Sequence, residues 1–312
     1  MIANRYASID LGSNSSLLLI AKIPPKGRFA ILEDRKATAR LSSGVEQGVE
    51  IAEAAISRLF TILDQFKELI DFHEVEAVTV SGTQVFRVAS NGDELAGRIR
   101  ARYGWVVEII SGEEEGRLSY LAASTGLSQI AEHTIVIDVG GASTEVVLGR
   151  KKEIDFQSSF PLGAVSLSER CRLRDDISES DTEAAKHLIA ELIPSAMLPS
   201  HDSDCTNLAV GGTASSLAAI FLGASVLNPA EIHGVVLSKV WISATTKRFG
   251  GMRLSGRRES MRFDPERAEI IVGGALIVDY LLDQMGIDTI IVTNRGLRWG
   301  LLLDRFGFSH SH

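Results

Sequence analysis

Short apolar runs at residues 6–10 (YASID) and 16–21 (SLLLIA) flank a polar segment of Gly, Ser and Asn. Runs of this length bounded by turn residues read as buried strands, so the segment predicts a hairpin with a glycine tip. From Ile56 the apolar positions Leu59, Phe60, Leu63, Phe66 and Ile70 recur at helical spacing, which predicts an amphipathic helix over about 51–71. A strand at 77–80, a helix at about 94–103 and a strand at 106–110 follow. Strand hairpins mixed with crossover helices are an α/β signature.

Ser111 stands three residues before Glu114, a capping-box spacing that opens a helix running to about Ser124. The chain then starts again, with strands at 134–138 and 144–149 around a second glycine turn. Setting I-D-L-G-S-N-S-S from Ile9 against I-D-V-G-G-A-S-T from Ile137 places acid on acid and glycine on glycine, an internal duplication with its boundary near Gly126. The first domain is expected over 1–126 and the second over 127–312, with the last helical segment, about 297–307, able to pack back on the first. Within the second half, a strand at 207–210 leads through Gly211-Gly212-Thr213 into a helix, and Asp264 with Pro265 caps another whose apolar positions run over 270–282. A strand at 289–292, a turn at Gly296 and a helix over 297–305 end the pattern, and the final His-Ser-His reads as a frayed terminus.

The chain has 312 residues, 45% of them hydrophobic, enough apolar material for two cores. A formal net charge of -8 argues against broad nonspecific binding to DNA, RNA or an anionic membrane, so an anionic ligand must meet a local positive site. Cys171 and Cys205 have no disulfide or metal-knuckle spacing and read as free thiols in a reducing cytoplasm. No signal peptide is expected, because Asp10 and Gly12 interrupt the apolar opening. Residues 208–227 are uncharged, but their Gly, Ser and Thr content suits a strand, turn and buried helix better than a membrane span.

In the two glycine turns, missing side chains let backbone N–H groups approach phosphate oxygens, and hydroxyls add further donors. The preceding Asp10 or Asp138 is of the type that holds Mg²⁺, or its water shell, against such an anion. One D-x-G-x-x-S equally suits an ordinary tight hairpin. Two copies at matching positions point to duplicated binding of phosphate and metal. Arg87, after Gly82-Thr83-Gln84, is placed to clamp phosphate bidentately, although a lone arginine is more often a solvated surface charge. Gly211-Gly212-Thr213 opening a helix is a third anion candidate, balanced by a plain turn with close helix packing. Glu113, Glu114 and Glu115 suit a helix N-terminus for dipole reasons alone, and nothing local singles out the one that would orient water. The seven histidines show no metal-ligand spacing, and His233 reads as a packed or capping residue.

Taken in order, YASIDLGSNSSLLLIA, SGTQVFRVASN, IISGEEEGRLSYLAA, IVIDVGGASTEVVLG, SFPLGAVSLSE, LAVGGTASSLAAI, EIHGVVLS and RGLRWGLLL resemble the exopolyphosphatase and guanosine pentaphosphate phosphohydrolase family from residue 6 to about 303. The resemblance implies two actin-like, sugar-kinase-like (ribonuclease H-like) α/β domains flanking a central cleft. It makes Glu115 the general base that activates water. It assigns Asp138 and Glu145, with Asp10, to Mg²⁺, for which Mn²⁺ can substitute. Gly12, Ser13, Asn14, Ser15, Gly140, Gly141 and Ser143 become phosphate-binding, joined by Arg87 and by Gly211, Gly212 and Thr213. The implied substrate is inorganic polyphosphate or a guanosine polyphosphate, with no DNA or membrane partner; a homodimer is compatible with the sequence.

Three departures qualify the match. The second turn reads Gly-Gly-Ala-Ser where many members carry three glycines, which is tolerable if Ala142 has ordinary backbone angles. Trp299 stands where the family usually has an acid. Long members continue into a helical region that grips long chains, so a preference for shorter polyphosphates is expected. A non-hydrolytic sensor and a sugar-kinase-like phosphotransferase are the competing classes, and fold alone does not separate them.

Overall fold

A computed structural model describes residues 4–23, 30–45, 47–127, 131–200 and 204–306. The histidine-containing ending lies outside them. The chain divides into two units, one formed by the chain up to Leu118 together with the chain from Leu297 on, the other by Ser119–Gly296. The division falls inside a helix and short of Gly126.

The first unit opens with an antiparallel meander of β1 (Asn4–Leu11), β2 (Ser15–Ile23) and β3 (Ala30–Thr38). Then come α1 (Glu53–Phe72), β4 (Ala77–Gly82), α2 (Gln84–Val88), α3 (Gly92–Tyr103), β5 (Val107–Ile109) and α4 (Gly112–Ser124). The sheet runs in the order β3-β2-β1-β4-β5, with β4 parallel to both neighbours. Alternation along β1 sets its two faces. Ala7, Ile9 and Leu11 join Leu59, Leu63 and Phe66 of α1 in the core, whereas Ser8 and Asp10 face the other way. Polar β3 is an edge strand, a position where charged residues block further pairing.

The hydroxyl of Ser111 accepts the Glu114 backbone N–H at 3.2 Å, as the capping spacing predicts. The return half of the box is absent. The Glu114 carboxylate instead takes Arg117 Nε and Nη2 at 2.7 and 2.8 Å, because a bidentate charged partner one turn on outcompetes a single backbone donor.

The second unit contains β6 (His133–Val139), β7 (Thr144–Arg150), β8 (Glu153–Phe160), α5 (Ala164–Arg170), α6 (Glu179–Leu192), β9 (Cys205–Val210), α7 (Gly211–Leu222) and α8 (Pro229–Ile232). It continues with β10 (Val235–Ser238), α9 (Lys239–Gly250), α10 (Leu254–Ser260), α11 (Ile271–Gln284) and β11 (Thr289–Val292). Its sheet order is β10-β11-β9-β6-β7-β8. Ile135, Ile137 and Val139 pack into a core with α11, while Val136 on the opposite face joins Tyr120 and Ala123 of α4. The helix expected from Pro265 is divided. A 3-10 turn spans Pro265–Glu269, with the Asp264 carboxylate accepting the Arg267 backbone N–H at 3.3 Å, and α11 begins after the break at Ile270. The uncharged stretch 208–227 is the end of β9 followed by α7 and its exit, and among the described residues no helix is long and apolar enough to cross a membrane.

The chain then returns to the first unit as α12 (Leu297–Arg305). Arg298 forks the Asp34 carboxylate with two bonds of 2.9 Å, and its carbonyl accepts Ser8 Oγ at 2.6 Å. A Cβ at Gly300 would lie 2.1 Å from the Leu118 carbonyl oxygen, so only glycine permits this approach. Trp299, standing in place of the expected acid, is buried in the same helix.

His233 ties three pieces of the second unit. Its Nε2 meets the Gly126 carbonyl at 3.1 Å and its Nδ1 meets Thr293 Oγ1 at 3.1 Å. A carbonyl only accepts, so Nε2 carries the proton and Nδ1 accepts from Thr293. Burial, and secondarily Arg295, hold the imidazole below its ordinary pKa. A folded-state pKa below the unfolded value means that the unfolded chain binds more protons as pH falls through about 6.5, so stability is lost on acidification. Chemical denaturation at about pH 7.5 and about pH 5.5 should therefore show a smaller acid-induced loss for His233→Gln than for the parent; equal losses would refute this role.

Candidate functional site

The two glycine turns repeat one construction. In the first, Gly12 N–H donates to the Ser15 carbonyl at 3.1 Å; in the second, Gly140 N–H donates to the Ser143 carbonyl at 3.0 Å. Each turn then engages its carbonyls from behind. Asn14 O accepts the N–H groups of Ala39 and Arg40 at 3.1 and 2.9 Å, and Ser13 O accepts that of Ser42 at 2.9 Å. Gly140 O accepts from Ala164 at 2.9 Å, and Gly141 O from Val165 and Ser166 at 2.8 and 3.2 Å. None of these bonds uses the N–H groups of Ser13, Asn14, Gly141 or Ala142, the donors an anion would take. Close packing enforces the second turn, since a Cβ at Gly163 would lie 2.5 Å from the Gly141 carbonyl carbon. Ala142 is not among the residues of positive φ, so the third glycine of other members is dispensable here.

In the first unit the predicted residues gather at the carboxyl ends of parallel strands, the usual place for ligands in such sheets. Leu11 pairs with Gly82, and Thr83 N–H donates to Leu11 O at 3.3 Å, which sets the start of α2 beside the turn containing Ser13, Asn14 and Ser15. Ile110 N–H donates to Gly82 O at 3.1 Å, which brings the start of α4 alongside. Glu115 lies in the first turn of that helix at 9% exposure, with its backbone N–H on Ser111 O at 3.0 Å. Glu113 is more exposed, and its carboxyl is held below the usual range by its own backbone N–H first and the Ser111 hydroxyl second.

Arg87 meets Glu115 rather than offering a free fork. Its Nη1 donates to Ile110 O at 2.6 Å and to Glu115 Oε2 at 3.3 Å, while Nη2 and Nε donate to Gln84 Oε1 at 2.7 and 3.2 Å. The bidentate clamp expected from sequence is therefore engaged within the protein. A five-residue helix offers too little periodicity to foresee that Gln84 and Arg87 share a face.

In the second unit Asp138 pairs in register with Glu145, so both carboxylates occupy the sheet face covered by α4. Ser119 Oγ donates to Asp138 Oδ2 at 3.0 Å and Ser159 Oγ to Glu145 Oε1 at 2.8 Å. Glu145 is 1% exposed, and Asp10 at the equivalent position of the first unit is 8% exposed. Among the described residues no cluster of three or more His, Cys, Asp or Glu forms a ready-made cage. Two hard carboxylates beside the turn amides nevertheless fit Mg²⁺, which keeps waters and takes further ligands from an anion where one is bound.

Gly211-Gly212-Thr213 comes to the same place. Gly211 has φ +83°, and a Cβ there would lie 2.4 Å from Asp138 Oδ1. Thr213 Oγ1 donates to Val139 O at 3.2 Å, pinning the N-terminus of α7 to the second glycine turn. Against Gly212 lies a residue that sequence reasoning missed: a Cβ would fall 2.2 Å from Arg267 Nη2. The Arg267 guanidinium is buried, its Nε has no hydrogen-bond partner, and that nitrogen lies 3.6 Å from Asp264 Oδ2. Burial holds its pKa below the ordinary arginine value, with Asp264 opposing. The capping residue Asp264 was visible in the sequence, but only the fold brings positions 212 and 267 together.

Comparison with known proteins agrees with the motifs. The pattern of the Ppx/GppA phosphatase family matches residues 19–307. Exopolyphosphatase 2 of Mycobacterium tuberculosis is 30% identical over 98% of this chain and 100% of its own length. The guanosine-5'-triphosphate,3'-diphosphate pyrophosphatase of Aeromonas hydrophila is 27% identical over 98% of this chain, which spans 60% of that protein. The crystal structure of the Aquifex aeolicus member of the Ppx/GppA family matches with a TM-score of 0.82 and 31% identity over 99% of both chains. On this match along nearly its whole length, the chain belongs to the Ppx/GppA phosphatase family.

Proposed function

We propose that the chain is an exopolyphosphatase that releases terminal phosphate from inorganic polyphosphate by hydrolysis. The observation that carries this reading is end-to-end similarity to a mycobacterial exopolyphosphatase, together with a buried glutamate, Glu115, set in the first turn of α4. Glu115 orients and deprotonates the attacking water, a role suited to a carboxylate kept from bulk solvent but hydrogen-bonded. The N–H groups of Ser13, Asn14, Gly141 and Ala142 and the hydroxyls of Ser13, Ser15 and Ser143 receive phosphate oxygens. Arg267 and the N-terminus of α7 add positive potential, which an acidic protein must supply locally.

Asp138 and Glu145 would hold Mg²⁺ or Mn²⁺, and Asp10 is the carboxylate at the equivalent position of the first unit. When bound, the ion shields phosphate charge and stabilises the leaving group. Recognition by a few turns and one buried arginine suits a few phosphates at a time, so short chains are preferred over long polymers. A second reading, removal of the 5'-terminal phosphate from guanosine pentaphosphate, is favoured by similarity to the Aeromonas pyrophosphatase. The protein acts in the cytoplasm under either reading.

Three measurements test the assignment. Glu115→Gln should lower kcat for phosphate release by roughly 10³-fold with little change in KM, and undiminished release would sink the role of Glu115. Chelation of divalent ions should stop release and Mg²⁺ restore it. Comparing kcat/KM for tripolyphosphate, long polyphosphate and guanosine pentaphosphate decides the substrate, with tripolyphosphate expected to lead.

Arg267→Met isolates the buried guanidinium. Its loss leaves the Asp264 carboxylate without its charged neighbour, so the unliganded Tm should fall. The increase in Tm produced by tripolyphosphate should shrink, and an undiminished increase would remove Arg267 from the anion site.

A further inference from the structure

Gln84 is the first residue of α2, and its side-chain oxygen accepts two bonds from Arg87, at 2.7 Å from Nη2 and 3.2 Å from Nε. Those two nitrogens form one edge of the guanidinium, the kind of edge with which arginine forks a carboxylate or phosphate. Nη1 is left to join Ile110 O and Glu115 Oε2. The Arg87 side chain is only 20% exposed, and that of Glu115 only 12%, so both ends of the arrangement sit where water competes weakly.

We propose that Gln84 is a positioning residue: by occupying the Nε–Nη2 edge of Arg87 it aims Nη1 at Glu115 and withholds the arginine from use as a phosphate fork. The inference rests on reading Glu115 as the group that orients water. An arginine has several rotatable bonds; Ile110 O holds Nη1 from one side, and the Gln84 oxygen on the Nε–Nη2 edge fixes the plane in which Nη1 meets Glu115. Loss of that acceptor has two consequences of opposite sign. Glu115 loses a partner that orients it, which lowers kcat, and an anion gains a fork, which keeps KM level or lowers it. A residue of merely structural value would lower Tm and leave both constants alone.

Gln84→Met removes the acceptor at nearly constant length, and Gln84→Glu retains it. The Nε–H groups of arginines are followed by ¹⁵N NMR, with Arg87→Lys identifying the Arg87 signal, alongside steady-state hydrolysis of tripolyphosphate and a Tm for each variant. The expected result is a slowly exchanging Arg87 signal in the parent and Gln84→Glu that is lost in Gln84→Met. Gln84→Met should also show a roughly tenfold lower kcat without a rise in KM, restored by Gln84→Glu to within about threefold of the parent. A persistent Arg87 signal in Gln84→Met, an unchanged kcat, or a rise in KM alone would each overturn the proposal. Should the parent release no phosphate from any polyphosphate, the hydrolytic reading fails by itself. The NMR comparison then still decides whether Gln84 holds Arg87, and equal protection in parent and Gln84→Met overturns that too.

Discussion

A single hydrogen-bonded turn, made twice, governs what each unit can do. Closing Gly12 on Ser15 and Gly140 on Ser143 reverses the chain in a few residues, and the segments behind then take the turn carbonyls. Backbone amides and carbonyls of one peptide point in opposite directions. Committing the carbonyls to 39–42 in one unit and to 164–166 in the other therefore presents the N–H group of Asn14 in one turn and those of Gly141 and Ala142 in the other. Amides presented in this way offer an anion donors that do not depend on the net charge of the chain.

Strand alternation does the next part of the work. The acid before each turn sits one position out of phase with the apolar residues around it, so Ile9 and Leu11 enter the core while Asp10 does not, and Ile137 and Val139 do so while Asp138 does not. The antiparallel partner fixes Glu145 opposite Asp138 by register alone. A one-residue slip would bury the acids in the core, and the apolar pattern forbids it. Geometry at the carboxylates is thus a consequence of core packing several residues away.

These features were legible in the sequence because they are local. The hairpins, the duplicated turns, the boundaries of α4 near Ser111 and of α12, and the glycine-rich opening of α7 all rest on spacing within about a dozen residues. Edge strands β3 and β10 were not legible, since polar or very short strands lack a clear period. The division of the chain at Leu118 was hidden for a related reason: α4 continues unbroken through it, and helical periodicity gives no sign of where packing partners change. The place of Glu115 in the first turn of α4 was readable, but its choice over Glu113 and Glu114 needed the resemblance. The fold supplies the local distinction, pairing Glu114 with Arg117 and leaving Glu113 more exposed on the Ser111 cap.

The two arginines show why charge alone was a poor guide. Arg87 looked like the phosphate clamp because it follows a strand, yet all three of its guanidinium nitrogens are engaged by Gln84, Ile110 and Glu115. Arg267 belongs to no glycine motif, yet it is buried against Gly212 with its Nε lacking a hydrogen-bond partner and 3.6 Å from Asp264 Oδ2. Removing a guanidinium from water is costly unless something replaces its hydration. A satisfied arginine has already received that compensation from the protein; an unsatisfied one is stabilised when an anion arrives. A guanidinium with an open Nε therefore has more to gain from an arriving anion, whereas a satisfied one is suited to holding a neighbouring carboxylate in place.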